Sequence, residues 1–139
     1  MEYVRKGKRI VLRLDKGDNI SESIITVAEK EKIVAGSVVG IGATDDFTVG
    51  VFNTEKGTYD EFLYTGTHEI TSLTGNITFV IGKPYVHLHI TAAGKEGKVV
   101  GGHLIKGVIS LTAEIFIDIF PKTVKRKRDE NLKINVMDF

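Results

Sequence analysis

The chain has 139 residues, a length that suits one ordinary domain with its own hydrophobic core. Hydrophobic residues make up 42% of it and charged residues 27%, and the formal net charge is only +1, which excludes a general attraction to nucleic acid or to an anionic membrane. Cysteine is absent, so disulfides, thiolate metal ligands and cysteine nucleophiles are excluded as well.

The N-terminal residues 1–9 carry no apolar segment of the kind that a secretory signal needs. No apolar run approaches the roughly 20 residues that span a bilayer. Nothing in the composition requires an oxidising compartment, because there is no cysteine to oxidise. We therefore expect a cytoplasmic protein with no membrane partner.

The first predicted elements are a strand and a helix. Apolar and polar residues alternate over residues 9–14, which predicts a strand with one buried face. Gly17-Asp18-Asn19 then interrupts the strand and offers a helix cap. Apolar residues next recur at helical spacing and predict the only convincing helix of the chain, at Ile20, Ile24, Val27 and Ala28.

The remainder of the chain favours strands throughout. The predicted strands cover residues 35–43, 47–53, 58–65, 69–81, 85–93, 98–100 and 108–120, with two shorter strands in the tail at 123–139. Gly75 lies inside one long run and indicates a bulge there. One helix followed by a long antiparallel series predicts an α+β fold, mainly antiparallel sheet, in a single domain over residues 1–139.

Three of the four histidines fall within seventeen residues and are candidate metal ligands. His87 and His89 lie two apart on a predicted strand, so their rings share one face, opposite an aliphatic face. A glycine-rich turn at 94–97 returns the chain and brings His103 beside them. Three neutral imidazoles suit zinc, which keeps an open position when it has three protein ligands. The alternative is a pair of half-exposed polar histidines with no ligand.

Glu114 is the single candidate for a catalytic residue. Ile109, Leu111 and Ala113 are expected to line one face of the strand at 108–120, which leaves Glu114 on the face of the histidines if the strands share a sheet. There it could orient a ligand imidazole, bind the metal or act as a general base. An ordinary polar residue on a polar face explains it equally well. His68, in a turn-like segment, is expected to be a solvated loop residue.

Four motifs in order resemble the plant-and-prokaryote conserved (PPC) domain over essentially the whole chain. They are Leu73-Thr74-Gly75-Asn76, Pro84-x-x-His87-x-His89, Gly101-Gly102-His103 and Thr112-Ala113-Glu114-Ile115. The resemblance implies a compact α+β fold, a homotrimer, and a metal, usually zinc, held by His87, His89 and His103. The fold is also distantly similar to that of acetolactate decarboxylase, a zinc enzyme with three histidine ligands, although a shared fold does not transfer activity.

The resemblance also raises DNA as a partner, because plant relatives carry this domain behind AT-hooks. The chain contains no Arg-Gly-Arg-Pro tetrapeptide, the core that an AT-hook inserts into the minor groove. Two basic clusters remain, at residues 5–9 and 122–128, and a trimer would repeat each three times. The weak candidates for nucleic-acid contacts are Lys125, Arg126, Lys127 and Arg128. Strand alternation puts Lys125 and Lys127 on one face of the strand and Arg126 and Arg128 on the other. This division favours the interpretation that they are ordinary solvated residues of an edge strand.

The sequence thus supports three functional hypotheses. The favoured one is a trimeric protein that binds zinc or another divalent transition metal, with DNA as a partner by family resemblance. The alternative is a metal-dependent enzyme acting on a small oxygen-rich substrate, a carbonyl or carboxylate compound, bound at the metal. A purely structural metal ranks third, because three protein ligands leave the site open. An enzyme is not favoured, since no nucleophile system or phosphate loop accompanies the histidines.

Overall fold

A computed structural model describes residues 1–139 and shows eight strands and one α-helix. The elements are β1 (Glu2–Lys6), β2 (Arg9–Asp15), α1 (Ile20–Lys30), β3 (Gly36–Asn53), β4 (Thr58–Val80), β5 (Lys83–Ala93), β6 (Val99–Ile119), β7 (Lys125–Asp129) and β8 (Ile134–Asp138). A 3₁₀ turn, Lys95–Gly97, joins β5 to β6. The predicted class, α+β with mainly antiparallel sheet and one principal helix, is confirmed.

The eight strands form one sheet in the order β1-β2-β6-β3-β4-β7-β8, while β5 pairs with both β4 and β6. Because β6 also pairs with β3 and β3 with β4, the strands β3, β4, β5 and β6 close on one another. All pairings are antiparallel except the short contact between β4 and β7 at Phe79 and Lys125. Closure covers the edges that long strands would otherwise expose.

The helix forms where its spacing predicts it. The side chain of Asn19 accepts a hydrogen bond from the backbone N–H of Glu22 and so caps the first turn. The apolar stripe is fully buried, at Ile20, Ile24, Val27 and Ala28, and it packs toward β5 and β6. The helix is far too short and too polar to serve as a membrane span.

The core combines this stripe with the inward faces of the strands, in one cluster of 22 buried residues. Alternation correctly places Ile10, Leu12 and Leu14 of β2 inside it. On β5, Leu88 and Ile90 are also buried, so the residues between them face away from the core. This parity is what directs the histidines of β5 to the other side of the sheet.

The long strands differ from the sequence prediction in their continuity. Residues predicted as pairs of separate strands form single strands, β3, β4 and β6, which bend at register shifts instead of breaking. His68 consequently lies within β4, opposite Thr44, with its ring against Phe47 at 5.1 Å. The expectation of a loop residue is wrong, because Gly66, with a φ of 84°, distorts the strand without ending it, while the partial exposure of His68 agrees with the expected contact with solvent. Strand β1 was not predicted at all.

The uninterrupted apolar face expected for β6 is broken at Leu111, which is 71% exposed. Between Ala113 and Ile109, both of which are buried, β6 advances four residues while β3 advances only from Gly42 to Thr44. The two extra residues of β6 form a bulge, which turns Leu111 outward while Ile109 and Ala113 on either side of it stay on the core face. Simple alternation therefore fails at this point.

Candidate metal centre

Two neighbouring strands position the three histidines. His87 and His89 project from the same face of β5, two residues apart, because the alternate residues Val86, Leu88 and Ile90 point toward the core. The turn at Lys95–Gly97 leads into β6, where His103 is the direct cross-strand partner of His89. The predicted convergence of the three rings is found.

The three imidazoles lie close enough to share one ion. One ring nitrogen from each of His87, His89 and His103 lies within 4.8 Å of the other two. The ring centroids are 5.2 Å apart for His87 and His89, 5.0 Å for His87 and His103, and 5.5 Å for His89 and His103. His89 is exposed, whereas the other two rings are half-buried. The cluster therefore has a wet side and a protected side.

His103 is fixed against Tyr59. The two rings stack with centroids 4.7 Å apart and planes inclined by 19°. The Nδ1 atom of His103 is buried and has no hydrogen-bond partner. Burial, followed by the nearby charges that His87 and His89 carry when protonated, lowers the pKa of His103 to about 4. The ring is thus neutral at pH 7, with a buried nitrogen in need of a partner.

His87 is held from the other side by Arg126 of β7. Burial lowers the pKa of His87, and the positive charge of Arg126 lowers it further, as does His89. The Nη2 atom of Arg126 lies 3.3 Å from Nδ1 of His87. Since a guanidinium only donates, Nδ1 accepts in this contact. Two of the three imidazoles are therefore kept in the uncharged form that binds metals.

The same guanidinium is held by three neutral acceptors. Its Nε donates to Oγ1 of Thr78 at 2.9 Å, and its Nη1 donates to the backbone carbonyl of Asn135 at 2.8 Å. Its Nη2 donates to Oδ1 of Asn76 at 3.1 Å. The ring of Tyr85 lies 5.2 Å from the guanidinium carbon. Arg126 is therefore oriented firmly, yet no carboxylate neutralises it.

A cleft of about 430 Å³ opens beside His87 and His103, and we call it the histidine cleft. Its walls combine aromatic and charged side chains from β4, β5, β7 and the segment before β8. The lining includes Tyr59, Glu61, Tyr85, Arg126, Arg128 and Lys133. Burial raises the pKa of Tyr59, so its hydroxyl stays protonated near neutral pH. The cleft could hold a small molecule next to the three rings.

Glu114 lies elsewhere. On β6 it pairs with Ile41 of β3 and Arg13 of β2, whereas His103 pairs with Gly50 of β3. It lines a different hollow, about 480 Å³ in volume, together with Ile41. The expected proximity to the histidines is not found, because strand alternation specifies a face of the sheet but not a position along a strand eleven residues farther on.

The four basic residues of β7 divide between its two faces, as alternation predicts. Arg126 and Arg128 line the histidine cleft. Lys125 and Lys127 are exposed, and Lys127 forms an ion pair with Asp138 at 2.7 Å. Arg126 in particular is directed at the histidines and not at a surface that DNA could contact.

Sequence reasoning missed several residues that complete the site. Tyr85 shares the histidine face of β5, so strand parity could have indicated it. Asn76 is the cross-strand partner of His87 and belongs to one of the motifs quoted above. Tyr59 and Lys133 carry no local signal, since distant segments bring them to the cleft.

The chain matches a known protein family and several solved structures. Residues 1–121 match the model of the Plants and Prokaryotes Conserved (PCC) domain. A plant- and prokaryote-conserved (PPC) protein of Pyrococcus horikoshii is 30% identical, with a TM-score of 0.89 over 96% of this chain and 92% of that one. A metal-containing protein of Archaeoglobus fulgidus is 29% identical, with a TM-score of 0.88 over 99% of this chain and 97% of the other.

A third solved structure, from Bacteroides thetaiotaomicron, is described as a proposed DNA-binding protein. It is 27% identical, with a TM-score of 0.96 over 99% of this chain and 96% of that one. The distant fold similarity is also present. A Staphylococcus aureus protein described as similar to alpha-acetolactate decarboxylase has a TM-score of 0.57 at 13% identity, over 83% of this chain and 53% of that one. No curated protein matches the chain.

Proposed function

Because the chain belongs to the Plants and Prokaryotes Conserved domain family, we propose that it is a homotrimeric protein that binds a divalent transition metal, zinc foremost, through His87, His89 and His103. The observation that carries the proposal is the convergence of three ring nitrogens within 4.8 Å of one another. A cytoplasmic location stays a prediction from the sequence.

Two properties of the rings fit a metal. The lowered pKa values of His87 and His103 keep both rings neutral at pH 7, so no proton has to leave before a metal can bind. The buried Nδ1 of His103 has no protein partner, and buried nitrogens of this kind nearly always have one. A zinc ion on three neutral imidazoles keeps an open position and can polarise an oxygen atom of a ligand.

Metal analysis of untagged protein tests this proposal. After equilibration with zinc and removal of free metal, we expect about one ion per chain, measured by elemental analysis. His87→Ala and His103→Ala should lose the metal, whereas His68→Gln should retain it, because His68 lies against Phe47 away from the cluster. Equal loss in all three variants, or no uptake by the wild type, would contradict the proposal.

The homotrimer is supported by a row of apolar side chains on the outer face of the sheet. Val4, Val11, Phe116 and Val39 are cross-strand neighbours on four successive strands, and each is 40% or more exposed. Exposed apolar groups of this extent are typical of interaction surfaces. Sedimentation equilibrium should give three times the chain mass of 15.3 kDa. Phe116→Glu should shift the protein toward monomer, with Lys122→Glu as a control for added charge.

DNA binding is a second candidate function, and the names of relatives from Bacteroides thetaiotaomicron and Ralstonia eutropha favour it. Lys6, Lys8 and Lys125 are exposed and form no ion pair, so phosphate contacts are open to them. A mobility shift with duplex DNA at low salt should show retardation that weakens as salt rises. If micromolar protein causes no retardation, DNA is not the partner.

A further inference from the structure

We propose that the histidine cleft binds a small oxyanion, a carboxylate or phosphate compound, with Arg126 as its anchor and with affinity that depends on the metal. This inference rests on the proposed metal site and extends it to the class of ligand. Three features of the cleft support it: its charge, the state of Arg126, and the contact between Arg126 and His87.

The charge of the cleft is strongly positive. Arg126, Arg128 and Lys133 line it, and the only carboxylate in its wall is that of Glu61. Neither Arg128 nor Lys133 forms an ion pair. The protein as a whole has a net charge of only +1, so this concentration of positive charge is local. A cleft whose charged groups are mostly positive attracts small anions.

Arg126 is the unusual member of the set. It is half-buried, and every acceptor it meets is neutral: a hydroxyl, a backbone carbonyl, an amide oxygen and an imidazole nitrogen. Buried charges are normally paired, because removal from water is unfavourable without a counter-charge. The fixed orientation also means that little freedom is lost when an anion binds. A planar guanidinium in this state matches the oxygens of a carboxylate or phosphate.

The contact between Arg126 and His87 couples the anion to the metal. A neutral imidazole that accepts at Nδ1 carries its proton on Nε2, so neither nitrogen then has a free lone pair. If His87 bound a metal through Nδ1, the lone pair that Arg126 uses would no longer be open to it. If His87 bound the metal through Nε2, its proton would lie on Nδ1, which could then no longer accept. In both cases the N–H of Arg126 would be free to donate to a ligand inside the cleft.

An anion in the cleft would accept this released N–H. Metal and anion should therefore favour each other's binding, and by linkage the effect is reciprocal. Because the cleft holds about 430 Å³, a compound the size of a dicarboxylic acid fits with room for water.

Calorimetric titration of the untagged trimer tests the inference, with malonate and inorganic phosphate as the probes and acetamide as the uncharged control. The zinc-loaded protein, freed of excess metal, should bind one of the two anions at least tenfold more tightly than the metal-free protein. Preference for malonate assigns a carboxylate ligand, and preference for phosphate assigns a phosphate compound. Absence of binding by both anions at millimolar concentration would overturn the inference even if one zinc per chain is present.

Variants separate the anion site from the metal site. Measured on protein verified to carry one zinc per chain, Arg126→Gln should weaken anion binding tenfold or more, and Lys122→Gln, a change of an exposed residue outside the cleft, should have no effect. If Arg126→Gln does not fold, Arg128→Gln is the second variant. It too should weaken binding of the anion. Unchanged anion affinity in a folded Arg126→Gln protein refutes the role of Arg126. If the wild-type protein binds no zinc, both the proposed function and the coupling between metal and anion are contradicted. Anion binding that depends on Arg126 would then still support the histidine cleft as an anion site.

Discussion

The imidazole of His103 lies flat against the phenol ring of Tyr59, with 4.7 Å between the ring centroids. Tyr59 itself lies close over Gly50, where an added methyl group would come within 2.6 Å of the ring. Gly50 is in turn the cross-strand partner of His103. The missing side chain at Gly50 therefore makes room for the ring that orients His103.

Tyr59→Leu should weaken metal binding by up to about tenfold, because aromatic pairs of this kind contribute roughly 0.5–1.5 kcal/mol. Without the stack, the ring of His103 gains freedom that a bound metal has to remove. Competition of each variant with a coloured chelator for zinc measures the change. Tyr59→Phe is the matched control and should bind zinc as the wild type does, since it keeps the ring and loses only the hydroxyl. Equal weakening in both variants would show that the hydroxyl, not the stack, is responsible.

The metal-free protein should lose stability as the pH falls from about 6.5 to about 4. The pKa of His103 is lowered from 6.5 to about 4 by burial, and that of His87 is lowered as well. In this range the unfolded chain binds protons that the folded protein refuses, so acid favours unfolding. Above pH 6.5 the contribution of His103 to stability is fully present, and below about pH 4 it changes no further.

Nuclear magnetic resonance of the metal-free protein measures this directly through the ring protons of His103, whose titration midpoint should lie near pH 4. Carboxylates such as Asp15 and Glu31, whose pKa values are also lowered, lose their own contributions at acid pH. The unfolding free energy of His103→Gln should accordingly fall less between pH 6.5 and 4 than that of the wild type. A midpoint at 6 or above would show that the ring is not protected from water.

Thr44→Val should destabilise the protein by about 1–2 kcal/mol. The side chain is fully buried, and its Oγ1 donates to the backbone carbonyl of Val108 at 2.6 Å, where β3 and β6 change register. Valine keeps the shape but leaves the carbonyl without this donor. Urea denaturation compares the variant with Thr48→Val, a change in the same strand at a threonine without a side-chain hydrogen bond. A loss at Thr48 as large as that at Thr44 would assign the effect to β3 in general.

The metal-site candidates were accessible from the sequence because they depend on local pattern. Strand parity places His87 and His89 on one face, and the glycine-rich turn before β6 brings His103 opposite His89. The helix follows from the spacing of its apolar residues and from the cap at Asn19. Periodicity and turn chemistry are properties of neighbouring residues, so a single sequence contains them.

The rest of the site depends on distant contacts that local pattern does not contain. Arg126 reaches His87 only because β7 lies against the end of β4, through a single pairing of Phe79 with Lys125. Glu114 was expected near the histidines because parity gives a face but no distance along a strand. Leu111 was expected in the core because a bulge in β6 cannot be recognised from alternation alone. Register and bulges are set by tertiary packing, and these are the points where the prediction failed.

Gly75→Ala should be among the most damaging single changes in this protein, with an expected loss of about 2 kcal/mol or more in the free energy of unfolding. Gly75 pairs with Leu88, and a methyl group there would collide with the backbone carbonyl oxygen of His87. The backbone cannot rotate out of the way as a side chain can. Strands β4 and β5 must therefore move apart at His87, one of the three candidate metal ligands. Denaturation of the metal-free variant measures the loss, and zinc titration should show weakened binding in whatever fraction folds.

Gly66→Asn, in the same strand, is the control: open space surrounds Gly66, and asparagine tolerates its positive φ of 84°, so stability and zinc binding should remain close to wild type. Wild-type stability of Gly75→Ala would mean that β4 and β5 do not approach each other at His87 as described.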